Sequence, residues 1–366
     1  MIHHLKKTLD ILYIFASKIN FLTIVTAQIM KKDDILSLFE KFNSLNTLII
    51  GDVMIDTYFW GKVDRISPEA PVPIISRTDI EHRLGGAANV ARNINALGAN
   101  PILCSVIGND DKADIFLDVM KSRGLNTDGI IKHDSRITTV KTRVISDNQH
   151  LLRIDEEIRN TISEDVEKEL IANIARIVDE HTIHSIIFQD YDKGVITQKV
   201  IESVVEIAQA KNIPTLVDPK KRNFHNFKNV TLFKPNFKEL VEGLKLEISK
   251  KDIEGIHEAS RILQKEQNIK IVMTTLSEMG VYISDNGSYH QIPAEIRDIA
   301  DVSGAGDTVV STASLCLAAG LEPKQIAWIS NISGGLVCEK VGVVPIDKKL
   351  LLNECLELRK KVKEKK

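Results

Sequence analysis

The sequence predicts an α/β protein in which helices cover both faces of a mostly parallel central sheet and a small β flap lies over the strand ends. Short apolar runs of β-forming residues alternate with helical periodicities from residue 47 onward, which is the pattern of a parallel sheet buried on both faces. The runs end in polar or glycine residues, as expected where a ligand binds at the carboxyl ends of the strands. Two extended stretches break this alternation and predict the flap.

The first 29 residues are rich in Ile, Leu and Phe, but they do not form a membrane-spanning pattern. Lys18 and Asn20 interrupt the apolar run. Its longest uninterrupted stretch, residues 11–16, is far short of the ~20 residues that a spanning helix needs. No small-x-small cleavage site follows it, so a secretory signal is weakly supported. We expect residues 1–29 to be an extension outside the fold.

The fold is expected to begin at residue 30, where an amphipathic helical pattern leads directly into the first strand. Strands and helices then follow in turn. The predicted strands cover residues 48–50, 101–107, 185–188, 215–217 and 269–274, and the predicted helices cover residues 87–97, 163–180, 197–210, 251–264 and 309–319. The strand ends place four polar residues at one edge of the sheet, namely Asp52, Asp190, Asp218 and Thr274.

The flap is predicted from residues 61–77 and 137–154, which are extended segments with charged residues among β-formers. One domain is therefore expected over residues 30–350, followed by a charged helix or tail over residues 351–366. An exposed strand edge on the flap invites pairing with another chain. We therefore expect a homodimer formed through the flap.

Composition limits the partners. The 366 residues carry 48 Lys and Arg against 50 Asp and Glu, a formal net charge of -2, so no global basic field is present to hold nucleic acid or a membrane surface. The four cysteines lie far apart and form no C-x-x-C pair, which argues against a disulfide framework and against a zinc site. We expect reduced thiols and a cytoplasmic protein whose ligand is a small molecule.

The strongest motif is D-V-S-G-A-G-D-T at residues 301–308, which precedes a helix of small residues. Gly304 and Gly306 permit a tight turn into the helix N-terminus, where successive backbone N–H groups form a cradle for an anion. Asp307 has two interpretations at this position. It can cap the first turn of the helix, or it can take the proton of a hydroxyl while the amides stabilise a transferring phosphoryl group.

Three weaker motifs also have two interpretations each. G-G-A-A-N at residues 85–89 opens a helix with a glycine pair, which permits close approach of a polyol but also suits ordinary packing. K-P-N-F-K-E at residues 234–239 places an amide and a carboxylate as for a magnesium-phosphate cluster or as in a capping box. Small and apolar residues at 331–335 and 341–344 suit an adenine slot or helix packing. Only the whole set in this order is specific.

This ordered set resembles the ribokinase-like carbohydrate kinases, also called the PfkB family, over residues 46–344. In that family an early Gly-Gly motif binds sugar, an Asn-x-x-Glu motif holds magnesium and phosphate, and a D-T-x-G-A-G-D motif supplies the base and the anion hole. Here the last motif is D-V-S-G-A-G-D, which changes its second residue only. The resemblance implies a ribokinase-like three-layer α/β/α sandwich with a β lid, ATP as phosphate donor and Mg²⁺ as cofactor. No G-x-x-x-x-G-K-[ST] run occurs, so a P-loop is excluded.

Within that family the chain is similar to kinases of D-glycero-β-D-manno-heptose 7-phosphate. The similarity implies ATP-dependent phosphorylation of the anomeric C1 hydroxyl to heptose 1,7-bisphosphate, in ADP-heptose and lipopolysaccharide inner-core biosynthesis. No H-x-G-H motif of a fused nucleotidyltransferase occurs, so we expect a free-standing kinase and a separate nucleotidyltransferase downstream. The similar segments are G-D-V-M-I-D at 51–56, R-I-S-P-E-A-P-V-P at 65–73, L-G-G-A-A-N-V-A at 84–91, T-V-K-T-R at 139–143, L-R-I-D at 152–155 and Q-D-Y-D-K-G at 189–194.

Together with residue chemistry, the resemblance implies a role for each matching position. Asp307 is expected to be the base, with the amides of Gly304, Ala305 and Gly306 as the anion hole. Sugar hydroxyls are expected at Asp52, Asp56, Gly85, Gly86 and Asn89, with Asp190 also on the substrate side, and the 7-phosphate at Lys141, Arg143, Arg153 and Lys193, any of which could instead be a surface ion-pair partner. The nucleotide is expected at Lys220, Asn236, Glu239, Thr274, Ser277, Gly280 and Asn331, with Glu239 holding Mg²⁺ through water.

Two alternatives stay open at this point. The chain could be a kinase of the same family for another sugar or sugar phosphate, because a few side chains set the selectivity of such a pocket. It could also be a non-catalytic regulator that binds sugar or nucleotide, although it retains Asp307, Asn236 and Glu239 together.

Overall fold

The computed structural model describes residues 30–147 and 149–364, with side chains up to residue 361. The extension expected over residues 1–29 lies outside the described residues. The described chain begins with helix α1 (Lys32–Lys41), a 3-10 turn (Phe42–Ser44) and strand β1 (Asn46–Gly51). This is the helix-to-strand start that the sequence predicts at residue 30.

Strands and helices alternate along most of the chain, and each predicted strand and helix coincides with an observed one, with ends shifted by a few residues. The further strands are β2 (Val53–Ile66), β3 (Pro73–Gly86), β4 (Asn100–Gly108), β5 (Ile130–His133), β6 (Val140–Ser146), β7 (Gln149–Glu156), β8 (Ser185–Gln189), β9 (Thr215–Asp218), β10 (Leu232–Phe233), β11 (Ile271–Thr275), β12 (Val281–Ser284) and β13 (Tyr289–Ile292). The further helices are α2 (Ala87–Ala96), α3 (Asp111–Ser122), α4 (Glu164–Glu180), α5 (Gln198–Ala210), α6 (Phe237–Leu244), α7 (Ile253–Glu266), α8 (Ala305–Ala318), α9 (Pro323–Cys338) and α10 (Lys348–Glu364).

The central sheet has nine strands in the order β13-β12-β11-β10-β9-β8-β1-β4-β5. Every pairing from β5 to β11 is parallel, whereas β12 and β13 pair in the antiparallel direction. The chain passes from β1 to β4 on one side and later returns to β8 on the other side of β1. Such a reversal of strand order opens a crevice beyond the carboxyl ends of the strands, where ligands bind in open α/β sheets.

Helices cover both faces of this sheet and form two apolar layers. One layer contains α1, α2, α3, α8, α9 and α10, and the other contains α4, α5, α6 and α7. The buried strands between them are apolar along their length because neither of their faces meets water. The predicted three-layer α/β/α class is confirmed.

A second sheet of four strands, in the order β3-β2-β6-β7, forms the lid. Strands β2 and β3 are 14 residues long and pair in the antiparallel direction, whereas β6 runs parallel to β2. The lid strands therefore begin earlier and end later than the predicted segment 61–77. The first six residues of β2 are buried without interruption, unlike the mixed charged and β-forming pattern that indicated the exposed part, and Asp56 is the one charged residue among them.

Helix α10 packs on the core, so the domain does not end at residue 350 as expected. Leu351 and Cys355 are fully buried, and Nε of Arg359 donates to the carbonyl of Met30 at 3.0 Å. Among the described side chains of this amphipathic helix, Lys360 and Lys361 are exposed whereas Leu351, Cys355 and Leu358 are buried.

The cysteines follow the prediction, since Cys104, Cys316, Cys338 and Cys355 are all free and buried. Across the described chain, no helix combines the length and the apolar character needed to span a membrane.

Candidate active site

The candidate site lies at the carboxyl edge of the central sheet and centres on Asp307 in the first turn of α8. Its side chain is 5% exposed. Oδ2 accepts a hydrogen bond of 2.7 Å from Nδ2 of Asn89 in α2. Oδ1 accepts hydrogen bonds from the hydroxyl of Tyr191 at 2.7 Å and from Nε2 of Gln189 at 3.2 Å. One carboxylate thus joins three parts of the fold.

Burial raises the pKa of Asp307 to about 6, although the hydrogen bonds from Asn89 and Tyr191 oppose the rise. The carboxylate is therefore ionised at neutral pH and yet more basic than an exposed aspartate. Such a group is suited to take a proton from a hydroxyl. The N-cap of α8 is Gly304, and the hydrogen bonds to the Asp307 carboxylate come from side chains, so the geometry favours the proton-accepting interpretation over the capping one.

Strand ends build a buried polar network beneath Asp307. Nε2 of Gln189 also donates to Oδ2 of Asp218 at 3.2 Å, and Nζ of Lys234 lies 3.1 Å from the same oxygen. All three side chains are buried, and buried charges persist only when they are paired and hydrogen-bonded. Gln189, Tyr191 and Lys234 were not among the predicted site residues. Two signals in the sequence could have found them: each lies at, or just beyond, the end of a parallel strand, and each lies in a segment singled out above, Q-D-Y-D-K-G for Gln189 and Tyr191 and K-P-N-F-K-E for Lys234.

The glycine pair brings the backbone of β3 against β2 beside Asn89. A Cβ on Gly85 would lie 2.4 Å from Oδ2 of Asp56, and one on Gly86 would lie 2.4 Å from the carbonyl of Asp52. Oδ1 of Asn89 is buried and has no hydrogen-bond partner within the described residues. Asn89, Asp56 and the glycine pair are therefore brought together, with an acceptor available for a ligand.

Asp52 and Asp190 require a correction, because their carboxylates hold backbone and side chains of the protein itself. Asp52 accepts hydrogen bonds of 2.9, 3.1 and 2.9 Å from the backbone N–H groups of residues 191, 193 and 195. Asp190 accepts from the N–H of Asp192 at 2.7 Å and from Nδ2 of Asn223 at 3.0 Å. Burial raises the pKa of both, that of Asp190 to about 6. We reassign both residues from sugar binding to fixing the loop that carries Tyr191.

The four basic residues expected at the 7-phosphate all lie at or beside the lid, but each of them meets a carboxylate. In the structure these residues therefore form ion pairs, which is the alternative to phosphate binding that the sequence left open. Despite partial burial of its carboxylate, hydrogen bonds from basic neighbours hold the pKa of Glu157 at about 2. The pairs are Arg143 with Asp56 at 2.6 Å, Lys141 with Asp155 at 3.3 Å and with Glu157 at 3.2 Å, Lys193 with Glu157 at 2.8 Å, and Arg153 with Asp155 at 2.9 Å.

The K-P-N-F-K-E motif forms a capping box at the start of α6. Oδ1 of Asn236 accepts from the N–H of Glu239 at 2.8 Å, and Oε2 of Glu239 accepts from the N–H of Asn236 at 2.9 Å. The other carboxylate oxygen of Glu239 pairs with Nζ of Lys220. Against the effect of burial, the carboxylates of Asp218 and Glu239 raise the pKa of Lys220. Lys220 therefore keeps a positive charge beside Glu239, the one carboxylate of the K-P-N-F-K-E motif.

The residues fit Mg²⁺ only as part of a nucleotide complex. No group of three or more His, Cys, Asp or Glu side chains in the described chain is arranged to hold a metal ion. Mg²⁺ in kinases keeps several waters and is bound through one or two carboxylates together with substrate phosphates. Glu239, beside the cation of Lys220, provides one such carboxylate.

A cavity of about 650 Å³ opens beside the N-terminus of α8. Thr274 is not in its lining, whereas Thr275 is. Thr274 is fully buried, and successive residues of strand β11 point to opposite faces of the sheet, so Thr275 and not the predicted Thr274 faces this cavity. Of the residues predicted for the nucleotide, the lining includes Ser277, Gly280 and Asn331, next to Gly306 of the G-A-G-D motif.

The expected anion hole lies where this cavity meets the base. Gly304 has φ +81°, a conformation that favours glycine, and α8 starts at the next residue, so its first N–H groups lack acceptors within the helix. The N–H of Ala305 makes only a long bond of 3.3 Å, to the carbonyl of Val302. A Cβ on Gly306 would lie 4.0 Å from Nζ of Lys234. An anion held by these amides would thus lie next to a buried cation.

A lid over a crevice, a buried basic carboxylate and an adjacent cavity define an α/β enzyme of the small-molecule kinase class. Residues 45–349 match the family described as pfkB family carbohydrate kinase. This chain belongs to that family of carbohydrate kinases.

Two curated relatives have the same printed name, bifunctional protein HldE. The chain is 37% identical over 315 residues to the one from Geotalea uraniireducens, covering 86% of this chain and 63% of that protein. It is 35% identical over 295 residues to the one from Helicobacter pylori, covering 81% and 63%. The chain thus spans less than two thirds of the length of these relatives.

Two solved structures share the fold. Phosphofructokinase-2 from Escherichia coli in complex with potassium matches with a TM-score of 0.70 and 18% identity, over 87% of this chain and 99% of that one. Ribokinase from Arabidopsis thaliana, complexed with ribose and ATP, matches with a TM-score of 0.65 and 16% identity, over 84% and 99%.

Proposed function

We propose that this protein transfers the terminal phosphoryl group of ATP to the anomeric C1 hydroxyl of D-glycero-β-D-manno-heptose 7-phosphate, giving heptose 1,7-bisphosphate. The observation that supports this chemistry best is the buried carboxylate of Asp307, with a pKa of about 6. It lies between the glycine pair of the lid and the cavity beside α8.

The proposed reaction divides the site into two sides. Asp307 takes the proton of the C1 hydroxyl as that oxygen attacks the phosphorus atom, and Asn89 orients the sugar through its unpartnered Oδ1. The amides of residues 304–306 stabilise charge on the transferring group, with Lys234 close by. Phosphoryl transfer depends mainly on alignment and on such charge stabilisation.

On the nucleotide side, Lys220 binds phosphate oxygens and Glu239 holds the metal through water. Mg²⁺, when bound with ATP, neutralises charge on the phosphates. The cavity of about 650 Å³ with Ser277, Gly280 and Asn331 in its lining receives the nucleoside. Closure of the lid over the sugar excludes water and so limits hydrolysis of ATP.

The choice of heptose 7-phosphate rests on the similar segments, above all R-I-S-P-E-A-P-V-P at residues 65–73. The curated relatives named bifunctional protein HldE agree with it. The second activity implied by their name is assigned here to a separate nucleotidyltransferase that acts downstream. Four free thiols agree with the reducing cytoplasm as the place of the reaction.

We also propose that the lid forms a homodimer. All eight residues of the edge strand β7 are exposed, and Leu151, Leu152 and Ile154 are 42%, 57% and 47% exposed. Unpaired strand edges with apolar side chains invite pairing with a second copy. Light scattering of the wild-type chain and of Leu152→Lys tests this: a dimer that the substitution dissociates supports the proposal, and a wild-type monomer contradicts it.

The proposed reaction is tested by release of ADP from the purified chain with ATP, Mg²⁺ and heptose 7-phosphate. Fructose 6-phosphate, fructose 1-phosphate and ribose serve as competing acceptors. We expect turnover with heptose 7-phosphate that exceeds turnover with the others by orders of magnitude. Turnover with one of the others alone would leave the chain a carbohydrate kinase and replace the proposed substrate.

A further inference from the structure

A second cavity, of about 240 Å³, is lined by three arginines from separate elements. Arg83 belongs to β3, Arg92 to α2, and Arg123 directly follows α3. The rest of the lining consists of Glu81 and apolar residues, including Val343. Like charges that converge on one cavity repel one another, so this arrangement calls for a negative partner.

The protein itself supplies one negative partner for the three cations. Glu81 accepts two hydrogen bonds of 2.6 Å from Arg83. Nη1 of Arg92 is buried and has no hydrogen-bond partner in the described part of the chain, and burial and the neighbouring Arg123 and Arg83 lower the pKa of Arg92. Three guanidinium groups and one carboxylate line the cavity, and Asp56 is a further carboxylate that acts on Arg83 and Arg92, so positive charge is in excess there. A phosphate monoester carries a compensating charge of about −1.5 to −2 at pH 7.

The cavity adjoins the reacting centre. Asn89 and Arg92 are three residues apart in α2 and so share one side of that helix, with Asn89 bonded to Asp307. A Cβ on Gly304 would lie 3.2 Å from Nδ2 of Asn89 and 3.2 Å from Cγ1 of Val343, which lines the cavity. The arginine-lined cavity is therefore adjacent to the site that contains Asp307 and Asn89.

Strand pairing also places the cavity next to Asp56, one of the residues expected to bind the sugar. Arg83 lies directly opposite Asp56 in the pairing of β3 with β2. By contrast, Lys141, Arg143 and Lys193 are already paired with Glu157 or Asp56. A phosphate at those cations competes with an internal carboxylate, whereas Nη1 of Arg92 is a donor with no partner among the described residues.

We propose that the cavity formed by Arg83, Arg92 and Arg123 binds the phosphate that the sugar substrate already carries, at the end remote from the hydroxyl that is phosphorylated. The inference rests on the proposed function for the identity of the sugar. Its own content is the place of that phosphate, because three guanidinium groups and an unpartnered Nη1 of Arg92 lie beside the site of Asp307. Charge-assisted hydrogen bonds from guanidinium groups to phosphate are strong and geometrically specific.

The test compares Arg92→Met with the wild-type chain. We expect KM for heptose 7-phosphate to rise roughly 10- to 100-fold, as for loss of a hydrogen bond to a charged group, while kcat changes little. Turnover of the unphosphorylated heptose should be the same in both proteins. Arg92→Lys keeps the charge without the guanidinium fork and should give an intermediate KM. The matched control is Arg176→Met, since Arg176 lies on α4 and pairs with Glu180.

Inhibition by inorganic phosphate separates the sources of the anion. Competition with the sugar phosphate that is lost in Arg92→Met supports the proposal. Phosphate binding that is lost in Arg92→Met without any change in KM identifies a site for a free anion and overturns it. A rise in KM with Lys193→Met but not with Arg92→Met would show that the substrate phosphate binds at the basic residues beside the lid, and it would also overturn the proposal. If the wild-type chain prefers another phosphorylated sugar, the proposed substrate fails, and the same comparison with that sugar still decides the role of the cavity.

Discussion

Asn89 and Asp307 are joined by a hydrogen bond of 2.7 Å from Nδ2 to Oδ2, although 218 residues separate them in the chain. The bond connects α2, which follows the glycine pair, with α8, which begins within the G-A-G-D motif. Because Asn89 uses a donor here and not its acceptor, its Oδ1 stays buried and unpartnered among the described residues. The pair therefore fixes the base and leaves an oriented acceptor for the sugar.

Replacement of the base is the first prediction. Asp307→Asn should lower kcat by about 10²- to 10⁴-fold, the usual contribution of a general base, because the amide cannot take the hydroxyl proton. KM for both substrates should change little, since the shape of the site is kept. The measurement is steady-state ADP release, with the exposed Asp118→Asn on α3 as matched control. Activity within tenfold of the wild type would remove Asp307 as the base.

The same substitution should stabilise the folded protein at alkaline pH. Burial raises the pKa of Asp307 from 3.8 to about 6, so the folded state binds the proton more tightly than the unfolded state does. In the wild type, the stability that protonation of Asp307 contributes to the folded state is fully present below pH ~4. It is lost as the pH rises through about 6. A shift of about two units corresponds to about 3 kcal/mol at pH 8.

We therefore expect Asp307→Asn to raise the free energy of unfolding by about 1 to 3 kcal/mol at pH 8 and to leave it nearly unchanged at pH 4. Urea unfolding at the two pH values measures this difference. A variant that is less stable than the wild type at pH 8 would contradict the raised pKa.

Tyr191 is predicted to set the acid limb of the pH profile. Its hydroxyl donates a hydrogen bond of 2.7 Å to Oδ1 of Asp307. Because this bond favours the ionised carboxylate, Tyr191→Phe should raise the pKa of Asp307. The acid limb of kcat/KM, near pH 6 in the wild type, should move to higher pH by up to about one unit. Tyr289→Phe, at the far edge of the sheet, is the control. An equal loss of activity at every pH would indicate a merely structural role for Tyr191.

The sheet, and the aspartate that we propose as the base, follow from local patterns in the sequence. Parallel strands end in polar residues because a ligand site forms at that edge, and the glycines around Asp307 mark a helix N-terminus with free amides. A strand end alone does not say where its side chain points. Asp52 and Asp218 both end buried strands, but Asp52 accepts hydrogen bonds from three backbone amides, whereas Asp218 pairs with Lys234.

Partner choice is a tertiary property, and for that reason the sequence could not decide between phosphate binding and ion pairing for the basic residues of the lid. Lys141 of the lid and Lys193 beside it are both basic, but they share Glu157, which lies beyond the end of β7. Arg92 lies in an ordinary helical sequence, and only the packing of α2 against β3 leaves its Nη1 buried and unpartnered in the described structure.

The glycine pair of the lid should tolerate no side chain at its second position. Gly86 has φ +60°, and a Cβ there would lie 2.4 Å from the carbonyl oxygen of Asp52, a backbone atom that cannot move aside. Gly124 provides a matched control, since it has φ +69° but nothing within 4 Å of its Cβ position. Gly124→Ala should therefore cost only the backbone strain of about 1 to 2 kcal/mol.

Gly86→Ala carries the same strain and adds a clash with β2, so its loss of unfolding free energy should exceed that of Gly124→Ala by about 1 to 3 kcal/mol, the usual cost of overpacking. Urea unfolding of both variants gives the difference directly. Because the clash pushes β3 away from β2 next to Asn89, Gly86→Ala should also raise KM for the sugar, whereas Gly124→Ala should not. Equal losses of stability in the two variants would mean that the glycine pair is not needed for the close approach of β3 to β2.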